Sequence, residues 1–193
     1  MADKKEQILK ERLDGLYDTY HSGYLESDPL KFLHRYRQAE DIELVGLITS
    51  SLAYGRVDRI FKSLENIFYI MGDSPSNFVR AFDPARDAKL FDGFVHRFNK
   101  GEDIACLIWF LRQMLEEHAS LGSLLKSLQR HGDADAGPLL DGLSNYMLSL
   151  DSAPFYGGKA LPKDAGVRYF FPSPKNGSAC KRLCLYLRWM VRK

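Results

Sequence analysis

The sequence predicts an all-α fold, on three observations. Apolar residues recur every three or four positions along most of the 193 residues, which is the spacing of one face of an α-helix. No alternating run of apolar and polar residues is long enough to indicate a strand. Glycine, proline and capping residues separate the periodic segments at short intervals. Because 45% of the residues are apolar, residues 1–193 are expected to bury one large core as a single domain, with room for two helical lobes.

The expected helices follow one another through short loops. The most regular helix of the N-terminal half spans 39–54, with acidic residues in its first turns and Gly55 after its end. The segment 102–117 is apolar over most of its circumference, which predicts a central, buried helix. The remaining segments with helical spacing or a helix start signal are 4–20, 28–36, 57–71, 74–82, a short one opening at Asp83, 120–129 and 138–150.

The C-terminal part of the chain changes character. Residues 151–177 are rich in proline and glycine and are expected to form a loop-rich connector, with a brief extended piece at 167–171. A C-terminal helix is expected over 178–193, with Ser178 as its cap and Lys181 about three residues inside.

The faces of this C-terminal helix are assigned from its apolar arc. On a helical projection the arc that should be buried contains Cys180, Leu183, Cys184, Leu187, Met190 and Val191. Tyr186 and Trp189 fall outside the arc, on stripes that also carry basic residues. The helix is therefore expected to be buried on one side and basic, with exposed aromatics, on the rest. Such a surface is typical of one that meets a polyanion.

Charge is unevenly distributed along the chain. From Gly157 onward there are nine lysines and arginines against the single acid Asp164, a net charge of +8 in a chain whose total is +2. A basic C-terminal part on an acidic body indicates a localised anion-binding surface. A solvated helix face that keeps the protein soluble accounts for the same charges equally well.

The motifs of several enzyme classes are missing. The sequence contains no P-loop, no dinucleotide-binding glycine fingerprint, no HExxH and no GxSxG. Its five histidines are scattered and its three cysteines form no CxxC pair, so we interpret the histidines as surface or capping residues and the cysteines as core residues. A nucleotide hydrolase and a histidine-based zinc enzyme are disfavoured, and neither a metal nor another cofactor is expected. Because no membrane span or signal peptide is seen, a cytoplasmic protein with no membrane partner is expected.

Lys181 is the residue with the most distinctive chemistry. A position near a helix N-terminus, with partial loss of water, favours the neutral amine over the ammonium ion. A neutral amine can attack an electrophilic carbon and form an imine. Lys181 can equally be a surface cation or a phosphate contact at the start of a helix.

Two motifs carry a resemblance to a known family. Residues 178–192 (SACKRLCLYLRWMVR) and 41–57 (DIELVGLITSSLAYGRV) resemble those of a family of uncharacterised bacterial proteins that bear a domain of unknown function. The likeness covers nearly the whole chain. That family is distantly similar to the helix-hairpin-helix DNA glycosylases, including their archaeal 8-oxoguanine branch.

The resemblance implies a DNA-repair function and assigns roles to residues. Lys181 matches the lysine that attacks the sugar C1′ of a flipped nucleotide. Ser51, Tyr54 and Arg56 lie where such enzymes place residues that line the pocket or enter the gap left by the base. The residues expected to contact damaged duplex DNA are Lys175, Asn176, Gly177, Ser178, Arg182, Arg188 and Arg192.

The sequence also departs from the glycosylase pattern. The loop 172–178 stands where the family has a Leu-Pro-Gly-x-Gly hairpin, which is not spelled out here. In the family a segment after this helix supplies an assisting aspartate, so the fold is expected to be glycosylase-like and C-terminally incomplete. The expected function is a glycosylase/lyase acting on an 8-oxoguanine-like purine. Two alternatives stay open. One is a non-catalytic nucleic-acid-binding module, and the other is an interaction scaffold in which exposed Tyr186 and Trp189 cover a protein partner or the expected further C-terminal segment.

Overall fold

The computed structural model describes residues 2–19, 26–158 and 160–191. The chain is mostly helical, which confirms the prediction of an all-α protein. The α-helices are α1 (Ala2–Thr19), α2 (Ala39–Ser51), α3 (Val57–Met71), α4 (Pro75–Ala81), α5 (Pro84–Asp87), α6 (Gly101–His118), α7 (Leu121–Leu128), α8 (Gly137–Ser149), α9 (Ala153–Tyr156) and α10 (Lys181–Val191). Short 3₁₀ helices span Pro29–Arg35, Ala88–Phe91, Gly166–Phe170 and Pro174–Asn176.

Two helices organise the core. α6 is buried along most of its length, as its apolar circumference predicts, and its N-terminus is stabilised by the Asp103 carboxylate, which accepts a hydrogen bond from the Lys100 N–H (2.8 Å). α2 is the second helix that organises the core, and it has buried residues on nearly every side. α4 and α7 pack against both helices, α10 packs against α2, and the buried apolar residues form one cluster.

The packing of α10 corrects the predicted faces of that helix. Tyr186 and Trp189 are buried, at 1% and 8% exposure, whereas Cys184 and Val191 are exposed. The buried face is thus rotated toward the aromatic residues. The reason is the close approach of α2. A Cβ added at Gly46 would lie 2.8 Å from the Met190 side chain and 3.3 Å from the Tyr186 ring, so the missing side chain makes room for both residues of α10. Tyr186 and Trp189 are therefore not the exposed contact residues that the interaction-scaffold alternative requires.

Two local predictions in the C-terminal part are also wrong. α10 begins at Lys181 rather than at Ser178, because Cys180 has a φ of 47°, in the left-handed region that breaks the helix. The segment predicted to be extended at 167–171 lies largely in the 3₁₀ helix Gly166–Phe170, whose Val167 and Phe170 are buried. A segment of five residues is too short for its apolar pattern to distinguish an extended strand from a 3₁₀ helix.

A small hairpin is the one sheet in the part of the chain described. β1 (Val95–His96) and β2 (Asn99–Lys100) pair antiparallel, with Val95 opposite Lys100. Arg97 and Phe98 form the two-residue turn, and Arg97 adopts a φ of 56°. The hairpin places these two turn residues beside the end of α2, and each strand is too short to give a sequence signal.

α1 is amphipathic as predicted, although its apolar residues stay exposed. Leu9, Leu13 and Leu16 are each more than half exposed. Tyr20, the last residue of the predicted helix, lies outside the described residues. Within the ranges described, no helix is long and apolar enough to cross a membrane.

Candidate nucleic-acid interface

The two sequence motifs meet at the side chain of Arg182, in the first turn of α10. Its guanidinium donates hydrogen bonds to the backbone oxygens of Ser51 (3.4 Å) and Tyr169. The guanidinium carbon lies 5.0 Å from the centre of the Tyr54 ring, in cation–π geometry. Ser51 ends α2 and Tyr54 follows three residues later, so the start of α10 is held against the end of α2. We refer to Ser51, Tyr54, Tyr169 and Arg182 as the α2–α10 junction.

Arg182 carries its positive charge without a carboxylate partner in the described part of the chain. The side chain is partly buried, its hydrogen-bond acceptors are backbone oxygens, and burial lowers the pKa of the guanidinium. The Ser51 hydroxyl beside it is 1% exposed and has no hydrogen-bond partner among the described residues. A partly desolvated cation without a counter-charge is stabilised when an anion binds. The α2–α10 junction therefore favours an anionic ligand.

Lys181 is the first residue of α10, next to Arg182. Its side chain is exposed and forms no hydrogen bond or ion pair with the residues described. The left-handed Cys180 turns the chain sharply just before it. The amine is thus accessible to a ligand from solvent, and no carboxylate of the described residues is paired with it.

The loop before α10 is fixed by α8. Ser173 donates a hydrogen bond to Asp141 Oδ1 (2.5 Å), Lys175 Nζ lies 2.7 Å from Asp141 Oδ2, and the Ser144 hydroxyl donates to the Phe171 oxygen (2.7 Å). The Lys175 ammonium and the Ser173 hydroxyl lower the pKa of the Asp141 carboxyl. Asp141 is buried, so the pair anchors the loop firmly to the core. Lys175 therefore reaches a DNA phosphate only if it shares its charge with Asp141.

The rest of this loop is open to solvent. Asn176 and Gly177 are exposed, and Gly177 has a φ of 77°, which ends the 3₁₀ helix Pro174–Asn176. The Ser178 hydroxyl accepts a hydrogen bond from the Cys180 N–H (3.1 Å). Ser178 thus caps the turn before α10, although it is not the first residue of the helix.

A buried hydrogen-bond network joins Tyr54 to the hairpin. The Tyr54 hydroxyl donates to Asn99 Oδ1 (2.5 Å), and burial raises the pKa of Tyr54 to about 12. His96 is buried, with Nδ1 2.9 Å from the Ser63 hydroxyl and Nε2 3.1 Å from the backbone carbonyl oxygen of Tyr54. Burial lowers the pKa of His96, so the imidazole is neutral at pH 7. The network fixes the Tyr54 ring that Arg182 contacts.

Stability is expected to fall as pH decreases from 7.5 to 5.5. The folded state holds His96 with a pKa below 6.5, so the unfolded chain takes up the proton first and the folded state loses stability through that range. We expect a lower melting temperature at pH 5.5 than at pH 7.5, and a smaller difference in His96→Gln. His131→Gln, at an exposed position, is the control. An unchanged pH dependence in His96→Gln would contradict this assignment.

A cleft of about 670 Å³ opens between α3 and the β1–β2 hairpin. Four cationic side chains line it, Arg56, Arg59, Lys62 and Arg97, against one acid, Asp92. Arg56 pairs with Asp58 (3.0 Å), whereas the other three cations make no ion pair within the residues described. We call this cavity the basic cleft. Its charge balance favours an anionic occupant.

Aromatic rings extend from the basic cleft toward α10. The Tyr54 and Phe98 rings are stacked with centroids 5.2 Å apart, and the Phe98 and Tyr169 centroids are 4.3 Å apart. Phe98 is 47% exposed and Tyr169 is 52% exposed. We call these three residues the aromatic ladder. Exposed rings next to arginines are typical of surfaces on which nucleobases stack.

The structure brings together some of the residues singled out in the sequence. Ser51, Tyr54 and Arg182 meet, and Lys181 adjoins them. Arg56 lies in the basic cleft, paired with Asp58. Arg188 is exposed further along α10 and makes no ion pair with the described residues. Arg192 lies outside the described residues.

Other residues of the interface are not identifiable in the sequence. Arg97, Phe98 and Tyr169 reach the interface through the hairpin and a 3₁₀ helix, neither of which has a strong sequence pattern. Nothing in the sequence around Asp141 sets it apart from the other polar residues of α8. Its role appears only in the fold, where its carboxylate contacts Ser173 and Lys175 of the loop before α10. A cluster of basic and aromatic residues at 94–98 is the only local signal, and it does not indicate which helix lies opposite.

The sequence matches the model of a known protein family over most of its length. The model of the family described as "Protein of unknown function (DUF2400)" matches residues 28–193. The chain belongs to this family. No curated protein and no solved structure matches it. The DUF2400 match spans both helices of the α2–α10 junction and the basic cleft. In the described part of this DUF2400 member, no group of three or more His, Cys, Asp or Glu side chains is placed to hold a metal ion.

Proposed function

We propose that this chain is a DNA-binding protein of the lysine-nucleophile glycosylase/lyase type, with Lys181 as the nucleophile and an 8-oxoguanine-like purine as the damaged base. The observation that carries the proposal is the position of Lys181, accessible at the first turn of α10 beside the uncompensated charge of Arg182. The all-α architecture agrees with the fold class that the glycosylase resemblance requires, and the glycosylase-like fold itself is part of the proposal.

The proposed reaction starts at the amine of Lys181. The neutral amine forms a bond to C1′ of the deoxyribose while the bond between C1′ and the purine nitrogen breaks, and the purine leaves with a proton. The sugar ring opens to give the imine. Water takes up a proton from C2′ while the C3′–O bond breaks and the 3′ phosphate leaves. Hydrolysis of the C=N bond then returns the free amine and the aldehyde. The cationic side chains of the interface hold the phosphates on either side of the reacting sugar.

A non-catalytic nucleic-acid-binding module is the second candidate. Two observations favour it: the Lys181 amine is exposed rather than desolvated in a cleft, and none of the described residues pairs a carboxylate with it. A carboxylate near the amine would assist the proton transfers that the glycosylase reaction needs. This candidate uses the same surface and predicts salt-sensitive DNA binding without a covalent intermediate.

Borohydride trapping separates the two candidates. The protein is incubated with duplex oligonucleotides that carry an 8-oxoguanine, an abasic site or no lesion, and the imine is reduced to a stable amine. We expect an adduct with the two damaged duplexes, and peptide mass mapping should place it on Lys181. Salt-sensitive binding with no adduct would support the non-catalytic module, and no binding at low salt would remove both candidates.

Arg182→Met tests the junction independently of the covalent step. We expect DNA affinity to fall roughly tenfold, because a charged contact to phosphate is lost. The free energy of unfolding should fall by about 1–2 kcal/mol, because two backbone oxygens lose their donor. Anisotropy titrations and chemical denaturation measure the two effects, with Arg130→Met as an exposed control. Unchanged affinity in a folded Arg182→Met protein would show that DNA binds elsewhere.

A further inference from the structure

We propose that the basic cleft and the aromatic ladder form one binding track for a single strand of nucleic acid, with phosphates in the cleft and bases on the exposed rings of Phe98 and Tyr169. The proposal rests on the proposed function in that both require a nucleic-acid ligand. It adds a second contact region, on α3 and the β1–β2 hairpin, and it specifies the form of the ligand as an unpaired strand.

Charge is the first argument. Arg59, Lys62 and Arg97 line the cleft without ion-pair partners among the described residues, and Asp92 is the one acid that lines it. A surplus of positive charge is therefore concentrated at a concave surface. A polyanion that enters the cleft supplies the missing counter-charges.

The exposed rings are the second argument, and they decide between nucleic acid and other polyanions. Phe98 occupies a hairpin turn where solvent covers about half of the ring, and its ring contacts are with the other members of the ladder, Tyr54 and Tyr169. Burial in the core does not explain a phenylalanine at this position. A nucleobase stacks on such a ring whatever its sequence, whereas a phosphorylated protein or a lipid headgroup offers no matching planar surface.

Continuity between the cleft and α10 is the third argument. Tyr54 lines the cleft, stacks on Phe98 and carries the Arg182 guanidinium on its face. Arg97 lines the same cleft as Tyr54, so the two arginines lie near the same residue. The turn residue Arg97 keeps the left-handed conformation, and its side chain passes 3.2 Å from the position that a Cβ of Gly55 would take. The basic cleft thus opens directly onto the α2–α10 junction.

The geometry suits a strand rather than an isolated nucleotide. A cleft of about 670 Å³ is within the range of roughly 300–1,000 Å³ that binds compact ligands. Phe98 and Tyr169, however, do not line the cleft, and their rings are joined to it only through the Tyr54 ring. A ligand that engages both regions must carry several phosphates and more than one base. A duplex keeps its bases stacked inside, so an unpaired strand fits the rings better.

The test uses an eight-nucleotide oligothymidine labelled with a fluorophore, which has no damaged base and no secondary structure. We expect the unmodified protein to bind it in a salt-dependent manner. Arg59→Ala combined with Lys62→Ala should reduce the slope of log K against log salt concentration by roughly 1.4, which corresponds to two phosphate contacts on a single strand. Phe98→Ala should weaken binding roughly tenfold with little change in the slope.

Matched control variants guard against general effects of charge and fold. Lys126→Ala combined with Arg130→Ala removes the same charge from α7 and the loop after it, and Tyr69→Ala removes an 88% exposed ring from α3. These controls should bind oligothymidine as the unmodified protein does. Circular dichroism melts establish that each variant is folded. Equal losses in the controls and in the cleft variants would overturn the proposal.

Further outcomes separate this proposal from the proposed function. If thymidine monophosphate displaces the oligonucleotide at an equal concentration of nucleotide units, the cleft is a mononucleotide site and the strand proposal is wrong. If the Lys181 adduct forms on an abasic duplex while the cleft variants bind oligothymidine normally, the strand proposal is wrong and the proposed function stands. If oligothymidine binding depends on the cleft and no duplex gives an adduct, the single-strand binding proposal is supported. The proposed glycosylase/lyase activity is then wrong.

Discussion

Lys181→Ala is expected to abolish the borohydride-trapped adduct with damaged duplex DNA while changing DNA affinity by less than about threefold, since a lone exposed cation contributes little more than one phosphate contact. The side chain makes no hydrogen bond or ion pair with the described residues, so the free energy of unfolding should stay within about 0.5 kcal/mol of its original value. Loss of the adduct together with retained binding and folding is the signature of a nucleophile. Denaturing gel electrophoresis of the trapped samples measures it.

Two further variants sharpen this experiment. Lys181→Arg keeps the positive charge but offers a guanidinium, which does not form the imine, so binding should be retained and the adduct lost. Lys126→Ala removes an exposed lysine on α7, which lines neither the basic cleft nor the α2–α10 junction, and should leave the adduct unchanged. An adduct of normal yield in Lys181→Ala would show that another amine reacts, and the assignment of Lys181 would then be wrong.

Local patterns in the sequence predict the helices well where the amphipathic signal is strong. The predicted segment 57–71 coincides with α3, because Gly72 and the residues before Val57 cannot continue the helix. α6 is central and buried, as its apolar circumference indicates. The start of α10 could not be predicted, because the left-handed conformation of Cys180 is imposed by the anchored loop rather than by residue type.

The interface depends on contacts that no local pattern encodes. Arg182 and Tyr54 stand out separately in the sequence, one as part of a basic helix and the other beside a helix end. Their contact arises only when α10 packs on α2, where Gly46 allows the Tyr186 ring to come close. The same packing buries Tyr186, which the sequence predicts to be exposed. The steric fit against α2 determines which face of α10 is buried, and the apolar arc of α10 alone does not. The basic cleft similarly requires the hairpin to be placed opposite α3.

Gly101→Ala is expected to have the largest effect on stability. Gly101 is buried at the first position of α6, directly after the hairpin that carries Arg97 and Phe98. An added Cβ would lie 1.9 Å from the backbone oxygen of Phe91 and 2.7 Å from its carbonyl carbon. Backbone atoms cannot rotate away as a side chain can, so α6 and the segment around Phe91 must separate. We expect a loss of at least about 3 kcal/mol, or a melting temperature lower by roughly 6–12 °C.

Gly15→Ala is the matched control for that clash. It makes the same substitution inside a helix, but nothing lies within 4 Å of the added Cβ, so the higher helix propensity of alanine should leave stability unchanged or raise it by up to about 1 kcal/mol. Chemical denaturation gives the free energy of unfolding of both variants. Their difference separates the steric clash at Gly101 from the effect of alanine on helix propensity. If Gly101→Ala is no less stable than Gly15→Ala, the close contact between α6 and Phe91 does not exist. The placement of the hairpin, and with it one wall of the basic cleft, would then have to be revised.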